Sequence, residues 1–193
     1  MQIKACSQFL ALTLLVLLTS FAAAAQARDH LTPQEVELVQ EAQVLDQRTE
    51  IFVKAIQRRM IALNLMQAQV VNNKQAQKES ERWGELPKGT RAELIGDIAR
   101  ILEEATTNID DVSFHDEKNP LLSKALRKLD TAAEQIVAQM TPLGEQAKSP
   151  DEISNISQAL ENAHTIIDAA KKLPAQVEPE KGKGKTKKPK EKS

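Results

Sequence analysis

Apolar residues recur along this chain mainly at three- and four-residue intervals, the period of one face of an α-helix. The first such stripe opens behind Leu31-Thr32-Pro33-Gln34-Glu35-Val36. It continues through Val39, Ala42, Leu45, Phe52, Ile56, Met60 and Leu63 to Val70. Thr32 and Glu35 have the N-cap and N3 spacing of a capping box, and Pro33 stands at N1, where its missing N–H is harmless. Leu31 and Val36 are placed to form a hydrophobic staple. The pattern fades at Asn72-Asn73, which predicts a single rod of about 40 residues, roughly 60 Å long.

Residues 74–89 are polar and end in the turn-forming Leu86-Pro87-Lys88-Gly89. Lys74 to Arg82 contains no helix breaker, so part of this connector is free to stay helical, and Trp83 is expected to close the end of the core. Thr90-Arg91-Ala92-Glu93 is a second capping box. Behind it run Ile95, Ile98, Leu102, Ala105, Ile109 and Val112. A polar loop over Ser113–Asn119 precedes Asn119-Pro120, an N-cap and N1 pair. The stripe that follows is Leu122, Leu126, Leu129, Ala133, Ile136 and Met140, which Pro142 and Gly144 stop or kink. Ser149-Pro150-Asp151-Glu152 reads as a third box, followed by Ile153, Ile156, Leu160, Ala163, Ile167 and Ala170, and Pro174 ends the element.

Four amphipathic helices with short or moderate connections predict an all-α fold: an antiparallel (up-down-up-down) four-helix bundle with a long first helix. The bundle domain spans residues 28–174. Both flanks differ in kind. Residues 1–27 have the grammar of an export signal: Lys4, an uncharged apolar run from Phe9 to Ala25, and small residues at Ala25-Gln26-Ala27 before Arg28. The expected location is periplasmic or secreted. An uncleaved membrane anchor is the alternative, since nothing from Ala5 to Ala25 is charged and about 20 apolar residues span a bilayer. Cys6 precedes the apolar run, whereas a lipidated cysteine would follow it.

Composition narrows the chemistry. Cys6 is the one cysteine, so the processed chain holds no disulfide, thiolate metal site, cysteine nucleophile or covalent haem. Beyond the signal the aromatics are Phe52, Trp83 and Phe114, too few for base-stacking platforms. Residues 28–173 carry 18 Lys/Arg against 24 Asp/Glu, while residues 174–193 carry seven Lys against three Glu. An acidic body thus bears a basic tail. Gly, Pro and like charges at this density build no buried face, so residues 175–193 are read as disordered. Lys181, Lys183, Lys185, Lys187, Lys188, Lys190 and Lys192 form its anion-binding candidate.

Candidate reactive groups are sparse. Glu161 and His164 are three residues apart on a helix, as in carboxylate-bridged di-metal bundles, and are the weak metal-ligand candidates. No second Glu-x-x-His accompanies them, and the expected seam through Leu160, Ala163 and Ile167 places His164 on its flank. Pairing His164 with Met60 or Met66 around a haem fails on axial position, because an antiparallel arrangement separates His164 and Met60 by roughly 28 Å at 1.5 Å per residue. Arg58-Arg59 are read as a solvated face or, second, an anion contact. Asp110-Asp111 and Asp116-Glu117 lack the glycine and terminal glutamate of a calcium loop. Asn155-Ile156-Ser157 fits a glycosylation acceptor but falls inside a helix.

The expectation is therefore an exported non-enzymatic module without catalytic residues or cofactor, acting as a structural element or through contact with another protein. The alternative is a surface binder, in which the tail or an amphipathic helix grips an anionic polymer or a membrane surface. A metal- or haem-binding bundle ranks third. A homo-oligomer is compatible with helix seams that look alike from either side.

Overall fold

The computed structural model describes residues 28–67 and 73–174. The expected signal (1–27), Val70 and Asn72 at the end of the first stripe, and the Lys-rich tail (175–193) lie outside the described residues. Among the described residues the chain is all-helical and has no strand. Its elements are α1 (Pro33–Glu41), α2 (Leu45–Ala62), α3 (Asn73–Trp83), α4 (Arg91–His115), α5 (Leu122–Gly144) and α6 (Pro150–Ala170).

The expected long first helix is corrected by an elbow. Thr32 and Glu35 form the full capping box of α1, but the helix stops after Glu41, with Ala42 and Val44 both in extended conformation. Nothing in Ala42-Gln43-Val44 forbids a helix, so tertiary contacts decide. Folding back places Glu35 against Arg58 and Arg59 near the far end of α2. It also packs Leu38 and Ala42 on Ile51 and Trp83. Arg48 holds the elbow, its Nε and Nη2 donating to the Ala42 carbonyl at 3.1 and 3.0 Å.

The far end of α2 also comes earlier than the apolar pattern suggests. Asn64 has φ +58°, its N–H bonds the Ile61 carbonyl, and the Leu65 N–H bonds the Met60 carbonyl. That is a Schellman stop with asparagine in the left-handed position. The polar connector supplies α3, and Gly84 at φ +66° ends it. Trp83 is buried as expected, but in a small satellite cluster with Leu38, Ala42 and Ile51, apart from the main core.

The main core joins α2, α4, α5 and α6. Phe52, Ile56, Ile98, Leu102, Leu129 and Ile136 are fully buried in it. α4 is wrapped most completely, with Leu94 through Ala99 all buried. It packs on α2 and α6 much more extensively than on α5, its successor in the chain. Asn155 and Asn162, seven residues apart on α6, donate to the carbonyls of Ala92 and Ala99, seven apart on α4, at 2.8 and 3.0 Å. The two helices therefore share one direction. Their close approach uses Gly96, where an added Cβ would lie 2.9 Å from Asn155 Nδ2.

Three smaller details differ from expectation. Ile153 is 47% exposed, and the buried stripe of α6 is Ile156, Ala159, Ala163, Ile166 and Ala170, with Leu160 and Ile167 on its flank. The third capping box is half made: Ser149 accepts from the Glu152 N–H, while the Glu152 carboxylate turns to Arg91 at 2.6 Å. α5 begins at Leu122, after a turn in which Asn119 Oδ1 accepts from the Leu121 N–H. An ion pair to a different helix outcompetes the local cap at Glu152. A side-chain turn takes the place of the N-cap at Asn119.

Candidate functional site

Among the described residues, the functional candidates of the sequence do not converge. Glu161 and His164 both lie on the exposed side of α6. Among the described residues no three His, Cys, Asp or Glu side chains are grouped where they could hold a metal ion. Met60 is buried in the main core and Met66 packs against its edge. Asp110, Asp111, Asp116 and Glu117 are exposed, and His115, expected in a loop, closes the last turn of α4. The seven tail lysines, Lys181 to Lys192, lie outside the described residues. No helix among the described residues is long and apolar enough to cross a membrane.

Arg58 and Arg59 are the main correction. Both are buried, together with Glu35 and Asp97. Glu35 lies in the first turn of α1, where Pro33 and the Thr32 cap fix its backbone. Its Oε2 accepts from the Thr32 N–H at 2.9 Å, completing the cap. Its Oε1 accepts from Arg58 Nε at 3.0 Å and Arg59 Nη1 at 2.6 Å. One carboxylate thus serves as a local cap and a long-range clasp. Asp97 on α4 accepts from Arg28 Nη2 at 2.8 Å and Arg100 Nη2 at 2.9 Å, with Arg59 Nε 3.9 Å away.

Four guanidinium groups therefore surround two buried carboxylates, and backbone carbonyls take up several of the other donors, while Arg28 Nη1 and Arg59 Nε have no hydrogen-bond partner among the described residues. Arg59 donates to Ala55 at 3.0 Å and to His30 at 2.5 Å. Arg58 donates to Glu85, and Arg100 donates to Arg28 at 3.2 Å. Arg58 also lies 5.7 Å from the Trp83 ring centre, within cation–π range. Burial pushes the Asp97 carboxyl above its ordinary value, against the pull of Arg28, Arg59 and Arg100. Burial likewise lowers Arg58, while the Glu35 charge and hydrogen bond act to restore it.

The cluster braces a cleft between α1, α2 and α3 of about 550 Å³. Leu38, Ala42, Ile51 and Trp83 form its apolar floor. Glu41, Glu50, Lys54, Glu79 and Arg82 stand around it, with Lys54 and Glu79 paired across α2 and α3 at 3.2 Å. No nucleophile–base pair is presented by these lining residues. The cleft offers apolar contact, hydrogen bonding and charge of both signs, which is binding chemistry.

Sequence reasoning missed the cluster although one signal was present. Arg59 sits three residues after Ile56 and seven after Phe52, on the apolar stripe itself. A cation on a seam requires a buried acid. The capping box accounts for Glu35 locally, so its spacing gives no sign of the longer reach. Comparison with protein-family models, curated protein sequences and solved structures finds no match to this chain.

Proposed function

We propose that this protein is an exported, non-enzymatic helical module that works by binding another protein, and that the cleft between α1, α2 and α3 is where it does so. The observation that carries this reading is the cleft's construction. An apolar floor is surrounded by charges of both signs and braced by ion pairs that are themselves buried. Such a surface suits a short amphipathic segment of a partner, with apolar side chains on Ile51 and Trp83 and polar ones at Lys54, Glu79 and Arg82.

The same proposal takes α2, α4, α5 and α6 as an antiparallel four-helix bundle that serves as scaffold. Two pairings support it: Arg48 with Asn108, and Arg59 with Asp97, which run in opposite senses along α2 and α4. The charge of residues 174–193 favours a second reading, attachment of the Lys-rich tail to an anionic polymer or membrane surface. In that case binding falls steeply with salt and is lost on truncation after Pro174.

The test is site-specific photocrosslinking in the native envelope. A photoreactive residue at Gln47, which lines the cleft, is compared with one at Gln158, exposed on α6. The expected result is a discrete adduct from position 47 that Lys54→Glu together with Arg82→Glu abolishes. The same adducts from both positions would overturn the assignment of the cleft.

A further inference from the structure

Arg28, which follows the expected export signal, is held by several contacts on α4. Its Nη2 donates to the fully buried Asp97 at 2.8 Å, its Nη1 lies 3.5 Å from Glu93 Oε2, and its carbonyl accepts from Arg100 at 3.2 Å. The seat has a shape as well as a charge. A Cβ added at Gly89 would lie 2.0 Å from Arg28 Nη1 and 3.1 Å from Glu93 Oε2. Glycine at 89 thus leaves a notch that the guanidinium fills. Two residues on, His30 Nε2 meets Glu104 Oε2 at 2.6 Å, and the His30 carbonyl accepts from Arg59. Residues 28–32 form a strap across α2 and α4 that ends in the cap of α1.

We propose that Arg28 is the N-terminal residue of the processed protein and that its guanidinium docks in the Gly89 notch on Asp97, fastening the strap and α1 to the rest of the fold. The inference rests on the export reading and is independent of what the cleft binds. Hydrolysis of the Ala27–Arg28 amide by a leader peptidase consumes one water and leaves a carboxylate on Ala27 and an ammonium on Arg28. A peptidase needs the residues on both sides of that bond extended and accessible. An Arg28 whose side chain and carbonyl are both held on α4 does not meet that need. Docking of Arg28 therefore competes with cleavage at this bond, and once the leader is released the strap stays fastened.

Two measurements on the exported full chain test this separately. The intact mass should correspond to residues 28–193; retention of the leader, or a start at any other residue, overturns the processing assignment. Amide hydrogen exchange then compares the processed protein with Arg28→Gln and Gly89→Ala, the second of which displaces the guanidinium by a single methyl group. Amides of Leu31–Glu41 are expected to exchange at least tenfold faster in both variants, with those of α5 and α6 unchanged. Unaltered protection of the strap in both variants overturns the docking role. Loss of the cleft adduct described above would leave both results standing.

Discussion

Glu35 and Glu93 occupy equivalent positions, each the N3 residue of a complete capping box, yet one is buried and the other exposed. Glutamine also serves at N3, so Glu→Gln keeps the cap while it removes the charge and turns the second carboxylate oxygen into an NH2 donor. At position 35 this strands two buried guanidinium groups, and the expected cost is about 3–5 kcal/mol. Glu93→Gln should move the urea midpoint far less, and parallel denaturation curves check the contrast. The caps are legible in the sequence because their partners lie three residues apart. The partners of Glu35 lie on another helix, beyond the elbow, and local spacing holds no record of them. Asp97 was hidden in the same way, between Ile95, Ile98 and Ile101, in a helix buried almost all round.

Helix identity and apolar faces are legible because burial requires the 3.6-residue period whichever neighbour supplies the contact. Helix ends are legible where a side chain caps them locally, as at Thr90, and hidden where packing makes the break, as at Ala42–Val44. Asn64 lies between these cases: asparagine is tolerated in the left-handed region, but its neighbours give no sign that a stop is needed. Asn64→Gly is expected to keep or raise the melting temperature, while Asn64→Ala should lose about 1 kcal/mol, read from thermal unfolding of both variants. At the α4–α6 contact, Gly96→Ala must push Asn155 off the Ala92 carbonyl. The expected loss is about 1–3 kcal/mol, with faster exchange at the start of α6 as the accompanying sign.

At the scale of the whole molecule, α2, α4, α5 and α6 share one core, and Leu129 lies fully inside it. Leu129→Asp should abolish cooperative urea unfolding, and a variant that unfolds like the parent would remove α5 from that core. A second link joins α2 to α5 at the surface, where Asp46 meets Lys124 at 2.7 Å and Lys128 at 2.5 Å. Partial burial raises the Asp46 carboxyl, but hydrogen bonds and charge from the two lysines outweigh it, and the net position is below the ordinary 3.8. The stabilisation is therefore present above the unfolded value and lost as pH falls through the lowered folded one. Asp97, raised by burial, acts in the opposite sense, so the parent's pH profile alone mixes the two. The difference between the parent and Asp46→Asn isolates the surface link: about 0.5–1 kcal/mol at pH 7, shrinking as pH falls through the lowered folded value. Why four stripes share a core was readable from sequence. Which stripes touch was not, because Ile, Leu and Ala seams are interchangeable until Gly96, Asn155 and Asn162 impose a register.

The chain has one tryptophan, and its ring is packed with Leu38, Ala42 and Ile51 instead of with Phe52 and Leu129. Its emission is therefore a witness to one corner of the molecule. If α1 peels away under mild denaturant, the fluorescence will redden while the far-ultraviolet helical signal is still close to its native amplitude. The two curves then part company, and a melting point taken from tryptophan light alone describes the loosening of that corner.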